Sequence, residues 1–287
     1  MSLLMKFLFP PSLFVTATSL ISFTPLVISG LSEKRGKHLQ YSKFFGVGSQ
    51  TSAESKIKLS SRAAMVTLYT PAFLAGVFSF GMFPDEGLRF LLLKSAITIH
   101  FFKRILEVNN SCVSRKDKFE NMFYPVKALF LSFFVHKYSG EMAMDSMVAI
   151  LLSYFISSAL MIFSQHLTVG LPEPAIDMMC PGILLFSIGI SGNFYHHYLL
   201  SKLRGNGAKE YKIPKGGLFD FVTCPHYLFE VLVFWGFAFI SQTLNSFSFA
   251  LGTTFYLMGR SYATRRWYLS KFEDFPEKVK AMIPFVF

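Results

Sequence analysis

The chain has 287 residues, 52% hydrophobic and 17% aromatic with 35 Phe, and only 16% charged. A soluble domain carries about a quarter charged residues, so composition excludes an ordinary soluble protein and points to an all-α, polytopic membrane protein. The net charge of +11 does not mark a nucleic-acid binder, because the basic residues fall in short clusters between apolar spans; cytosolic loops, lipid headgroups and bound phosphates account for them better.

A helix crosses the hydrocarbon core with about 20 mainly apolar residues. Seven spans are expected: Phe7 to Ile28, Ala63 to Phe83, Leu88 to Phe102, Met142 to Ser164, Ile176 to Leu200, Tyr227 to Gln242 and Ser246 to Ala263. The third and sixth are short, and Lys94 lies inside the third. The N-terminal run has the look of a signal peptide, but it continues past the usual length with Pro10, Pro11 and Pro25 inside and no small-residue cleavage site. It is read as a retained first span.

Charge placement tests this count. The connection from Glu33 to Arg62 holds seven Lys or Arg against two Glu, and the connections after spans three and five and the C-terminal tail are also basic. Those between spans two and three, four and five, and six and seven contain no Lys or Arg. With seven spans the basic regions share one face, which puts the N-terminus in the lumen and the C-terminus in the cytosol. No repeat or separate soluble domain is visible, so residues 1–140 and 141–287 are expected to form one integrated bundle. Residues 109–133 are the exception, loop-like at first and then too short an apolar run to cross a bilayer.

No GxGxxG follows a strand and no GxxxxGK[ST] occurs, so a nucleotide would have to be held by side chains of the bundle. Neither HExxH, GxSxG nor a metal-spaced carboxylate cluster is present, and Cys112, Cys180 and Cys224 lack CxxC spacing. No metal site is expected. What remains is a set of amide- and phosphate-capable groups near one membrane face: Asn193, His196, His197, Lys202, Arg204, Tyr211, Lys212, Arg260, Arg265, Arg266 and Tyr268. A mix of Arg forks and Lys point charges suits a pyrophosphate with an additional phosphate. For Lys202 the bland reading, a loop charge on lipid headgroups, is favoured. Two further constellations stand out. His100, Lys103, Arg104 and Glu107 share one helical side, which permits either an internal ion pair or a ligand-facing group. Cys224-Pro225-His226-Tyr227 opens span six, with Glu230 three residues beyond Tyr227. A lone interfacial Tyr is more often an aromatic-belt anchor than a proton donor.

These residues resemble a known family. Lys212 to Phe219 (KIPKGGLF) and the tail from Tyr268 to Phe285 resemble the steroid 5α-reductases; Gly192 to His197 (GNFYHH), Cys224 to Tyr227 (CPHY) and the HxxKRxxE pattern at His100 to Glu107 are similar to their relatives, the trans-2-enoyl-CoA reductases. The resemblance implies a seven-helix reductase of the endoplasmic reticulum membrane that uses NADPH to saturate a C=C bond conjugated to a carbonyl in a lipid. By position it implies NADPH contacts from Asn193, Arg204, Tyr211, Lys212, Glu230, Arg260 and Tyr268, with His226 where the family often has Asn. It also implies an essential role for Tyr227 and an active-site helix carrying Lys103, Arg104 and Glu107.

There are departures. The Gln and Glu that lie near the 3-ketone in steroid reductases are replaced by Leu68 and Tyr69, and the carbonyl-binding tyrosine of span three by Phe101. A steroid ketone would then be polarised by Tyr227 or Tyr69. Enoyl reductases pass almost directly from HxxKRxxE into a sequence like Val135 to Gly140, so residues 109–133 are read as an insertion. The first expectation is reduction of the Δ4 bond of a 3-oxosteroid, since no N-terminal ubiquitin-like domain of the enoyl-CoA reductases is present. The alternatives are long-chain trans-2-enoyl-CoA reduction and a non-catalytic or insertion-inactivated membrane relative.

Overall fold

The computed structural model describes residues 4–46, 57–84, 87–109, 140–203 and 211–287. Among them are seven long helices, one at each expected span: α1 (Leu13–Lys34), α2 (Ser61–Met82), α3 (Gly87–Asn109), α4 (Met144–His166), α5 (Met179–Lys202), α6 (Pro225–Ser241) and α7 (Leu244–Lys271). By length and composition α1, α2 and α4 can each cross a membrane. Helices α3, α5 and α7 carry the polar side chains that dilute their apolar character.

Boundaries shift for local reasons. The first span begins later than expected because Pro10 and Pro11 break the chain between a single helical turn, Leu4–Phe7, and α1; Ser12 then caps α1 by accepting the Val15 N–H at 3.2 Å. The third is longer than expected. Lys94 is buried without interrupting it, because its Nζ donates to the Phe83 carbonyl at 2.6 Å and so satisfies the end of α2. Helix α7 runs on to Lys271, well past Ala263. Of residues 109–133, Asn109 closes α3 and the rest lie outside the described residues.

Two three-residue strands add a detail that the helical reading lacks. Strands β1 (Lys58–Ser60) and β2 (Glu141–Ala143) pair antiparallel, Leu59 opposite Met142, and tie the start of α2 to the start of α4.

Helix α1 packs on α7, α5 on α6, and α2 on α3 and α4. Small residues set the closest crossings, as expected where lipid supplies no hydrophobic drive between helices. A Cβ on Gly189 would fall 2.7 Å from the Val233 nitrogen of α6. One on Gly30 of α1 would fall 2.5 Å from the Phe255 carbonyl oxygen of α7. In the centre, Leu93, Ile97 and Phe101 of α3 pack with Leu68 of α2 and Phe234 and Phe237 of α6.

One end of the bundle is closed by Arg89. Its guanidinium donates to Ile240 O at 2.7 Å and Gln242 Oε1 at 3.0 Å, and pairs with Glu173 and Asp177, each at 2.7 Å. Bonds to Met179 N–H and Arg89 hold the Asp177 carboxyl below the usual carboxylate range. The functional cleft lies at the other end.

Candidate active site

Alternate helix ends meet around a cleft of ≈ 220 Å³, lined from the late parts of α3, α5 and α7, the early parts of α2, α4 and α6, and the connection that follows α1. Successive helices therefore run in opposite directions. The helix ends at the cleft are those that adjoin the basic connections.

The inner wall is polar. Arg104 of α3 donates from Nη2 to the Tyr69 hydroxyl of α2 at 2.6 Å and from Nη1 to Glu107 at 3.1 Å and to His197 Nε2 of α5 at 3.2 Å. A guanidinium has no acceptor, so the bond to His197 fixes that ring with its proton on Nδ1. Across the cleft the buried Glu230 of α6 accepts from the Tyr154 hydroxyl at 3.4 Å. Tyr227, one turn before Glu230, lines the cleft, and its hydroxyl bonds no described residue.

The outer wall is aromatic and cationic. Tyr211 packs on Trp267 with ring centroids 4.9 Å apart. Lys43 Nζ stands 4.6 Å from the Tyr268 ring and 5.2 Å from that of Trp267. Lys212, Tyr41 and Ser42 complete this rim. Gly217, at φ 56, lets the KIPKGGLF turn approach α5, where His196 Nε2 accepts the Leu218 N–H at 3.1 Å while its Nδ1 donates to Gly192 O at 2.7 Å. Cys224 also faces the cleft, but burial pushes its thiol up to about 11, so it is a neutral group and not a nucleophile near pH 7.

Of the residues singled out from sequence, Tyr69, Arg104, His197, Tyr211, Lys212, His226, Tyr227, Glu230 and Tyr268 come together in this cleft. Three others stand behind its wall. Lys103 bonds Asn193 Oδ1 and pairs with Glu107 at 3.1 Å, and Asn193 Nδ2 donates to His226 O at 2.8 Å. These three brace α3, α5 and α6, and of the HxxKRxxE triad only Arg104 lines the cleft. Arg204 lies outside the described residues.

Arg260 and Arg265, expected among the cofactor contacts, do not line the cleft. The Arg260 guanidinium is taken up by Glu33 at 2.7 Å and by the carbonyls of Leu39 and Tyr41. Arg265 donates to the carbonyls of Val279 and Glu277, each at 2.6 Å, and so fastens the C-terminal tail to α7. Conversely Tyr41, Lys43, Tyr154 and Tyr256 join the cleft without having been expected there. Lys43 was legible only as one charge in a basic connection, and the three tyrosines only as members of apolar or loop segments.

The family model described as 3-oxo-5-alpha-steroid 4-dehydrogenase matches residues 143–287. A 3-oxo-5-alpha-steroid 4-dehydrogenase 2 of Macaca fascicularis is 39% identical over 108 residues, 38% of this chain and 42% of the relative. Steroid 5-alpha-reductase DET2 of Gossypium hirsutum is 42% identical over 107 residues, 37% of this chain and 42% of the relative. The human 3-oxo-5-alpha-steroid 4-dehydrogenase 2 is 38% identical over 106 residues, 37% of this chain and 42% of its own length. The chain thus spans about two fifths of the length of these relatives.

Proposed function

Because the chain belongs to the 3-oxo-5-alpha-steroid 4-dehydrogenase family, we propose that it reduces a C=C bond conjugated to a carbonyl in a membrane-soluble lipid, with NADPH as reductant and a Δ4-3-oxosteroid as substrate. The cleft's donor set fits such a cofactor. Lys43 and Lys212 offer point charges for phosphate oxygens beside the aromatic faces of Tyr211 and Tyr268, while the buried Glu230 carboxylate is an acceptor for an amide N–H. When bound, NADPH supplies the hydride.

The observation that carries the reading is the Tyr227 phenol, which opens on the same cleft as the Arg104–Tyr69 pair without a bond to any described residue. As the β-carbon is reduced, negative charge grows on the carbonyl oxygen. Tyr227 holds a proton on its hydroxyl for that oxygen, and Arg104 keeps a positive charge nearby. Both act more strongly on the transition state than on the ground state, which is what accelerates a reaction. Arg104 and Tyr69 are themselves buried, so they act in a medium of lower dielectric than water.

A second reading, reduction of a long-chain trans-2-enoyl-CoA, draws on Arg104 of HxxKRxxE facing the cleft together with CPHY. The two separate in one experiment. Microsomes containing the full chain are given NADPH and either a 4-en-3-one steroid or a 2-enoyl-CoA, and the products are followed by mass spectrometry. A product two mass units heavier from the steroid alone supports the proposal; turnover of the enoyl-CoA alone replaces it with the second reading. NADPH binding without turnover of either would identify a non-catalytic relative.

A further inference from the structure

Arg260 poses a question that its sequence position does not answer. It is 1% exposed and does not line the cleft, yet its guanidinium makes three hydrogen bonds within residues 33–41. Nη1 reaches Glu33 Oε1 at 2.7 Å and Leu39 O at 3.3 Å, and Nη2 reaches Tyr41 O at 3.2 Å. Its central carbon stands 4.0 Å from the Tyr41 ring and 4.2 Å from that of Phe44. Glu33, also 1% exposed, completes the arrangement: Oε1 accepts the Leu39 N–H at 3.0 Å and Oε2 meets His38 Nδ1 at 2.6 Å.

The helix crossing makes this possible. Gly30 and Gly259 face each other, and a Cβ on either would run into the other helix's backbone. That close approach of α1 and α7 brings Glu33, one turn beyond Gly30, within reach of Arg260, one position beyond Gly259. Two charges taken out of water need each other and a full set of hydrogen bonds to be tolerated, and here the remaining bonds come from residues 38–41. The same segment then presents Tyr41, Ser42 and Lys43 to the cleft.

We infer that the Glu33–Arg260 pair is a buried clamp that fixes residues 38–44 as one wall of the cleft, so that Arg260 is a positioning residue and touches no ligand. The inference rests on the cleft being the cofactor site. It deepens that reading by assigning the phosphate-facing charge on this wall to Lys43 and its placement to a side chain behind it. Lys43 itself lies between Tyr41, whose carbonyl Arg260 holds, and Phe44, which packs on the same guanidinium.

The test uses the full chain in detergent with Glu33→Gln, Arg260→Lys, the double variant and Lys43→Ala. NADPH and NADH affinities are read from the fluorescence of the bound nucleotide, and in parallel the rate of tryptic cleavage after the half-buried Lys43 is read without cofactor. Either single clamp variant should weaken NADPH binding about tenfold and speed cleavage after Lys43 by a similar factor, with cleavage within α3 to α6 unchanged. The double variant should be no worse than either single one, since both break one linkage. The preference for NADPH over NADH should survive in the clamp variants and fall in Lys43→Ala. Normal binding by Glu33→Gln beside a loss in Arg260→Lys, or a collapse of the NADPH preference in Arg260→Lys, would make Arg260 a direct phosphate ligand and overturn the clamp. Cleavage after Lys43 that is unchanged in both single variants also overturns it. Should the unaltered chain bind no NADPH, the cofactor reading fails, and the cleavage rates alone decide whether the clamp exists.

Discussion

Two phenols of the cleft differ in what already holds them. The Tyr69 hydroxyl accepts from Arg104 at 2.6 Å and still carries its own proton, whereas that of Tyr227 bonds no described residue, so the two donors are separated by substitution. Tyr227→Phe keeps the ring and removes only that hydroxyl. Turnover should fall by a factor of roughly 100 to 10,000, about 3 to 5 kcal/mol of barrier, with cofactor affinity barely changed. An interfacial anchor would instead lose a little yield and keep its turnover. Tyr69→Phe is the companion measurement: if it abolishes turnover while Tyr227→Phe does not, the carbonyl is held from α2. At this scale the sequence was informative about groups that share a helix, because spacing reports neighbours three and four positions apart. Tyr227 with Glu230, and Arg104 with Glu107, were legible in that way. Arg260 was not, since its partner Glu33 is 227 positions away and a cation's spacing cannot show whether a phosphate or a carboxylate awaits it.

Helices were legible as spans because apolar length is a local property, and their true ends were less so because caps and partners decide them. Ser12 moves the start of α1, and Lys94, a charge inside the third span, closes α2 through the Phe83 carbonyl. The crossings, which depend on both partners, were not visible at all. At the α5–α6 crossing, Gly189→Leu would force a side chain into the Val233 backbone. It should lower the thermal stability of the detergent-solubilised protein by ~1–3 kcal/mol or more, whereas the same change at Gly81, where nothing lies within 4 Å, should not. The Arg89 clamp gives an element-scale dependence on pH. Asp177, between α4 and α5, is a stronger acid in the folded chain than in the unfolded one, mainly through the Met179 N–H and then Arg89. Its contribution is therefore complete above the unfolded carboxyl range, about pH 4, and is lost as pH falls through the lower folded value. The Tm advantage of the unaltered chain over Asp177→Asn should be full at pH 6 and shrink below about pH 4. An advantage independent of pH would mean that the carboxylate's charge is not what ties this connection.

Across the whole molecule, the connections that carry the Lys and Arg and the cleft that gathers Lys43, Arg104 and Lys212 lie at the same end of the bundle, while the opposite end is closed by Arg89 between two carboxylates. On the proposed function a soluble, highly charged cofactor enters from water, so the open end faces the compartment that supplies it, and the bias of Lys and Arg toward the cytosol points the same way. If the seven long helices among the described residues are the crossings, the two termini lie on opposite sides. We therefore expect an endoplasmic reticulum membrane protein whose C-terminus is cytosolic and N-terminus lumenal. Pairs such as Glu33 with Arg260 and Lys103 with Asn193 join helices of residues 1–140 to helices of residues 141–287. A reporter fused after Phe287 should be accessible to cytosolic reagents, and one fused before Met1 should be protected until the membrane is opened. Removing residues 110–133 leaves the number of crossings at seven if that segment does not itself span, so both reporters should keep their sides in the shortened chain. Were the C-terminal reporter to change sides on that deletion, the segment would contain a crossing, the count would be eight, and the shared basic face would have to be redrawn.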